Sequence, residues 1–190
     1  HIGSQIFDIE PFVTAAEIMI DFMAKIKSEL GAVISELNLG GGFGIMYTSD
    51  DEPVPYENYM DKVSVAVKAK CAEHGLPVPF IYIEPGRSVV GEAGITLYTV
   101  GGKKKIPNVR TYVSIDGGMT DNIRYALYQS AYTIVNASKA DKPADEVVTI
   151  AGKCCESGDL VQEHTKVADV QVGDILAVLS TGAYNYSMAS

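Results

Sequence analysis

The chain has 190 residues, of which 47% are hydrophobic, and its formal net charge is −9. This length suits one large domain or two small ones, and no apolar run is long enough to span a bilayer. The negative charge argues against a nucleic-acid or anionic-membrane surface, because both favour a positive face. Three cysteines, two of them adjacent, make a poor disulfide framework, so a reducing cytoplasm is the predicted location.

The chain begins and ends abruptly. It starts with His1-Ile2-Gly3-Ser4, without Met or a polar lead-in, and it finishes in the middle of a mixed stretch, Tyr184 to Ser190. We therefore expect an internal piece of a longer protein.

The first helix is predicted over residues 14–30. Thr14 and Glu17 have the spacing of a capping box, and Gly31 stands where a helix end favours a left-handed residue. Spacings of three and four residues predict one buried apolar stripe. Its members are Ala15, Met19, Phe22, Ile26 and Leu30.

Strands and a second helix follow in alternation. An apolar strand over 34–39 leads into Gly40–Gly44, a helix is predicted over 57–74, and a strand over 80–83 ends in Glu84-Pro85-Gly86-Arg87. Strands joined by helices form parallel sheets, and functional groups in such sheets gather beyond the carboxyl ends of the strands. The glycine segment and the Glu84 turn are both predicted at that edge.

The second half is predicted to be an all-β domain. Only Thr120–Tyr128 has a helical pattern, and Gly101-Gly102-Lys103 resembles a hairpin turn. The predicted domains are residues 1–90 and 91–190, with the boundary near 88–94. Short β-like runs occupy 95–100, 110–115, 132–136, 146–151 and 174–179.

The four glycines of Gly40–Gly44 leave two interpretations open. They permit a tight turn after a strand, or they let backbone N–H groups approach an anion such as a phosphate. The segment fits neither the dinucleotide pattern nor a P-loop, because Ile45 follows and no Lys-Ser or Lys-Thr comes next.

Other polar residues are equally open when taken singly. His1 and Ser4 belong either to a frayed terminus or to a site at a strand end, and Glu84 and Arg87 form either a surface ion pair or ligand contacts. Tyr184, which follows Gly182-Ala183, is a core residue or a site residue.

The cluster Cys154-Cys155-Glu156 does not predict a metal site, because it has no CxxC pair and only one His nearby. A thiol whose pKa lies near the working pH can instead donate a proton. Arg124 and Tyr128, four residues apart, are either surface residues or a fork for a carboxylate.

Taken together, five motifs in this order resemble the diaminopimelate decarboxylases, which are pyridoxal-phosphate enzymes with an alanine-racemase-like fold. The resemblance covers essentially the whole chain. It implies the last strands of a (β/α)8 TIM-type barrel followed by a β-domain, in a homodimer whose active site is shared between subunits. The motifs are His1-Ile2-Gly3-Ser4, Gly40–Gly44, Glu84-Pro85-Gly86-Arg87, Cys155-Glu156-Ser157-Gly158-Asp159 and Gly182-Ala183-Tyr184.

The resemblance also implies a pyridoxal 5′-phosphate site. Gly40–Gly44 and Ser4 would hold the phosphate, His1 would stack on the pyridine ring, and Glu84 would pair with the pyridine nitrogen. Cys155, from the neighbouring subunit, would return a proton to the α-carbon after loss of CO₂. The implied cofactor contacts are His1, Ser4, Gly41, Gly42, Gly44, Glu84, Gly86, Arg87 and Tyr184.

The substrate implied by the resemblance is meso-2,6-diaminopimelate, which carries a second amino-acid head. Arg87, Arg124 and Tyr128 would bind its distal carboxylate, Glu156 would accept its ammonium group, and Tyr184 would contact phosphate or substrate. Relatives of the ornithine type act on substrates without a distal carboxylate and usually carry Asp where Glu156 stands. A desolvated Arg without a partner would be costly there.

Two alternatives stay open: an ornithine- or arginine-type decarboxylase of the polyamine pathway, and a catalytically dead regulatory homologue. The sequence also departs from the family, because no segment matches the motif of its Schiff-base lysine. The turn lysines Lys103, Lys104, Lys105 and Lys153 are poor substitutes. We therefore expect the isolated chain to be inactive, and to self-associate through strand edges that a partial barrel leaves unpaired.

Overall fold

The computed structural model describes all 190 residues, which form two compact units. The first contains residues 1–45 and 52–88, and the second contains residues 46–51 and 89–190. The chain thus enters the second unit briefly, directly after the glycine segment, and returns to it permanently near the predicted boundary. None of the helices is both long and apolar enough to cross a membrane.

The first unit alternates helices and strands, as predicted. Strands β1 and β2 are parallel, with Asn38 opposite Tyr82. Helix α2 buries Tyr59, Val63, Val67 and Cys71 on one face. The elements are α1 (Glu10–Leu30), β1 (Glu36–Asn38), α2 (Tyr56–Glu73) and β2 (Phe80–Tyr82).

The predicted start and buried face of α1 were wrong. The helix begins at Glu10, with Pro11 in its first turn and no side-chain cap, so Thr14 lies inside it. Gly31 ends it in a left-handed conformation with a φ of 69°, as predicted. The buried residues are Phe12, Ala16, Ile20 and Met23, whereas Met19, Phe22 and Leu30 of the predicted stripe are exposed. The helix is apolar on two sides, so residue spacing alone did not identify the side that is covered.

An aromatic cluster ties the glycine segment to this core. Phe43 stacks on Phe12 with ring centroids 5.0 Å apart, and both rings meet Tyr59 edge to face. The Tyr59 hydroxyl donates a hydrogen bond to the Ile6 carbonyl at 3.0 Å. Since Phe43 lies within Gly40–Gly44, its burial fixes the position of the surrounding glycines.

The second unit is built on one six-stranded mixed sheet in the order β5-β8-β3-β4-β6-β7. Its pairs are antiparallel except β4 with β6, which is parallel. Its strands are β3 (Thr96–Ile106), β4 (Arg110–Ile115), β5 (Ile134–Asn136), β6 (Glu146–Ala151), β7 (Leu160–Val167) and β8 (Ile175–Val178). Short helices are α3 (Arg87–Val90), where the chain passes between units, α4 (Arg124–Tyr128), α5 (Asn185–Met188) and a 3₁₀ turn (Ala137–Lys139).

Two strand predictions needed correction. Gly101-Gly102-Lys103 does not form a hairpin turn: β3 runs through it to Ile106, with a register shift between Val100 and Gly102. The glycines therefore mark a β-bulge rather than a reversal, which is the other common use of glycine in a strand. Strand β7, rich in charged residues, was not predicted at all.

Replacing Ile20 by Ala should destabilise the first unit by about 2–5 kcal/mol, because it leaves a cavity in the core. Ile18→Ala removes the same atoms from a side chain that is 60% exposed and should cost less than about 0.5 kcal/mol. Urea unfolding followed by circular dichroism measures both. Equal losses of unfolding free energy in the two variants would contradict the assigned buried face of α1.

Candidate functional site

The glycine segment lies directly against the turn that follows β2. The Glu84 amide donates to the Gly40 carbonyl at 2.7 Å, which continues the parallel ladder beyond both strands. A Cβ atom on Gly41 would overlap the Glu84 carbonyl oxygen. The two segments that the sequence predicted at one edge of the sheet are therefore in contact, and the contact requires glycine.

The same segment also contacts the start of the chain. Gly42 has a φ of 104°, and a Cβ atom there would overlap the Gly3 carbonyl, while a Cβ on Gly40 would lie 2.9 Å from the His1 Cα. The amides of Gly41 and Gly42 donate to no backbone carbonyl. Unpaired N–H groups on a side-chain-free loop fit an anion such as a phosphate.

Polar side chains flank this loop. Asn38 donates to the Glu84 carboxylate at 2.6 Å, and Asn38 in turn accepts from the Gly40 amide at 2.8 Å. The Arg87 guanidinium donates to the Ser4 hydroxyl at 3.2 Å. Sequence reasoning missed Asn38, although its position at the end of β1 was a usable signal. Gly86 lies in the connecting turn.

In the second unit, Arg124 is buried, with only 5% of its surface exposed. Its guanidinium lies 4.4 Å from the ring centroid of Tyr47 and 5.5 Å from that of Tyr132. It donates to the hydroxyls of Tyr132 and Ser130 at 3.2 and 3.3 Å. No carboxylate forms a salt bridge with it, so hydroxyls and aromatic faces compensate a buried charge.

The two candidate tyrosines are exposed. Tyr128 ends α4, one helical turn after Arg124, and is 63% exposed. Tyr184 is 43% exposed. It follows Ala183, whose carbonyl accepts from the Tyr47 hydroxyl at 3.4 Å. Tyr47 thus contacts both the Arg124 side chain and the backbone before Tyr184, a connection that the sequence did not reveal.

Cys155 and Glu156 lie on an exposed loop between β6 and β7. The Glu156 carboxylate accepts from the Gly158 amide and the Ser157 hydroxyl, both at 3.2 Å. Burial, and then the neighbouring Asp159 carboxylate, raise the pKa of the Cys154 thiol. Cys154 is therefore a poor proton donor near neutral pH, whereas Cys155 is exposed to solvent.

Comparison with known proteins extends these observations. Residues 1–91 match the family model described as pyridoxal-dependent decarboxylase, pyridoxal binding domain. Over all 190 residues the chain is 52% identical to the diaminopimelate decarboxylase of Bacillus subtilis and 50% identical to that of Bacillus methanolicus. The resemblance predicted from the motifs is confirmed. The chain spans 43% and 44% of the lengths of these two relatives.

Solved structures agree with the sequence comparison. The diaminopimelate decarboxylase of M. jannaschii, crystallised with L-lysine, superposes on this chain with a TM-score of 0.89 at 38% identity. The match covers 100% of this chain and 42% of that one. The likeness therefore extends over both units.

Arg124→Lys should destabilise the second unit by about 1–3 kcal/mol, because an ammonium group cannot reproduce the planar stacking or the paired donors. The control is Arg110→Lys, at a guanidinium that is ion-paired with Glu163 and partly exposed, where the cost should be under about 1 kcal/mol. Thermal unfolding compares them. A smaller loss at Arg124 than at Arg110 would contradict the cation–π assignment.

Proposed function

We propose that this chain forms the second half of a diaminopimelate decarboxylase, a pyridoxal-phosphate carboxy-lyase that converts meso-2,6-diaminopimelate to L-lysine. The first unit would be the last part of a (β/α)8 barrel and the second a C-terminal β-domain. The observation that carries the proposal is the contact of Gly41 with the Glu84 turn, because it joins an anion-binding loop to a carboxylate at one edge of the sheet.

The residues of the first unit fit pyridoxal phosphate. The free amides of Gly41 and Gly42 suit its phosphate, with Gly44, Ser4, Gly86 and Arg87 around them. When bound, the cofactor takes up the electrons released as the carboxyl group leaves. In this proposal Glu84 holds the pyridine nitrogen protonated, His1 packs against the ring, and Tyr184 contacts the phosphate or the substrate.

The second unit fits a substrate with two amino-acid heads. The buried guanidinium of Arg124 faces neutral partners, so a substrate carboxylate would add the missing counter-charge. Tyr128 and Arg87 would complete this carboxylate site, and Glu156 would accept the distal ammonium. Cys155 would return the proton to the α-carbon, acting from the partner subunit of a homodimer. A cytoplasmic location, which three free cysteines fit, is part of the same proposal.

The two alternatives predict different chemistry at these residues. An ornithine- or arginine-type enzyme has no distal carboxylate to place beside Arg124, so a buried guanidinium would gain nothing from its substrate. A catalytically dead homologue has no need for an exposed thiol beside a carboxylate. Arg124, Cys155 and Glu156 together therefore favour diaminopimelate.

The test is an assay of the longer protein that contains this segment. We expect CO₂ release from meso-diaminopimelate and at least about 100-fold lower kcat/KM with ornithine or arginine, because both lack the second carboxylate, equivalent to about 2.7 kcal/mol. The 190-residue chain alone should release no CO₂. A preference for ornithine would contradict the proposed substrate. Turnover by the isolated chain would contradict the need for a Schiff-base lysine that this chain lacks.

Gly41→Ala in the same longer protein should weaken pyridoxal-phosphate binding by at least about tenfold, because the new methyl group displaces the Glu84 turn at a cost of about 1–3 kcal/mol. Gly101→Ala is a matched control, since its nearest neighbour would lie 3.8 Å away. Cofactor titration followed by absorbance measures both. Unchanged affinity in Gly41→Ala would remove the glycine loop from the cofactor site.

A further inference from the structure

Asp159 is a buried carboxylate that the proposed chemistry does not use. Only 2% of its surface is exposed. One carboxylate oxygen accepts from the Met119 amide at 2.6 Å and the other from the Cys154 amide at 2.7 Å. Its own carbonyl accepts from the Gly152 amide at 2.8 Å. Each oxygen thus fixes the backbone of a different loop.

The surrounding chain is fitted closely to this carboxylate. A Cβ atom on Gly152 or on Gly118 would overlap both carboxylate oxygens. The loops can therefore close around Asp159 only because both positions are glycine. No salt bridge joins Asp159 to a basic side chain, so two backbone amides balance its charge.

Both loops lead to residues that have roles in the proposed function. The first, residues 152–159, carries Cys155 and Glu156. The second, residues 117–121, leads into α4 and Arg124. A hydrogen bond from the Asn122 amide to the Gly118 carbonyl, 2.8 Å long, stabilises this turn. Hydrogen bonds from amides to a buried carboxylate are strong and directional, so Asp159 limits the movement of one loop against the other.

We propose that Asp159 is a positioning residue that sets the placement of the Cys155–Glu156 loop relative to the loop before Arg124. This inference rests on the proposed decarboxylase function, since that function gives the two loops their roles. Asp159 contacts neither substrate nor cofactor. It acts through the Cys154 amide, directly before the residue that donates the proton.

The principal experiment uses Asp159→Asn in the longer protein loaded with cofactor. Asn has nearly the same shape, but its NH₂ group cannot accept from a backbone amide, so one of the two loops loses its anchor. We expect kcat to fall by about tenfold or more, with a smaller change in KM, since a lost charge-assisted hydrogen bond corresponds to at least one factor of ten. Asp145→Asn, at an exposed loop position, should leave kcat unchanged.

A second readout does not depend on activity. Alkylation of Cys155 by iodoacetamide, followed by mass spectrometry of its peptide, should change at least threefold in rate in Asp159→Asn and not in Asp145→Asn. A fold-stabilising role alone would leave kcat and the alkylation rate of the folded, loaded protein unaltered. That result would overturn the inference.

Gly152→Ala covers the case in which Asp159→Asn does not fold. It keeps the carboxylate but pushes on it, so it should reproduce the loss of kcat and the altered alkylation rate. Normal values of both would overturn the inference. If the unmodified protein fails to decarboxylate meso-diaminopimelate, the proposed function is wrong, while the alkylation rates still report whether Asp159 positions the loop.

Discussion

The close approach of two main-chain segments at Gly41 is the constraint on which the first unit depends. Parallel pairing of β1 with β2 continues past the strands, through Leu39 to Tyr82 and through Glu84 to Gly40. A side chain at position 41 would force the segments apart at that point. Bare backbone therefore does two things here: it extends the ladder, and it leaves amides free beside a carboxylate.

The second unit contains two buried charged side chains that are stabilised without ion pairs. Arg124 is buried against tyrosine rings and hydroxyls, and Asp159 is buried against backbone amides. Neither is neutralised by an ion pair, which would fix both partners and screen the field of each. Dipoles and π faces hold a charge in place while leaving its field available to a ligand. For Arg124 this arrangement suits the proposed role, in which the counter-ion arrives with the substrate. For Asp159 the two backbone amides balance the charge.

Sequence reasoning was most successful where the signal was local. The glycine segment, the turn at Glu84 and the left-handed end of α1 at Gly31 all rest on backbone conformations that few other residues adopt. Asn38 and Tyr47 escaped notice because their roles come from contacts between distant segments, and Asp159 was noted only as the last residue of a motif, without a role. Tyr47 follows the glycine segment closely in sequence, but residues 46–51 belong to the second unit, where the Tyr47 ring contacts Arg124.

The error in α1 has a different physical origin. Hydrophobic periodicity identifies the apolar faces of a helix. It does not show which of these faces packs against the core. Ile18 and Phe22 are 60% and 53% exposed, and Phe80 on β2 is 73% exposed. Apolar side chains on two sides of one helix and on the face of a two-stranded sheet fit the proposal that the first unit is the last part of a barrel.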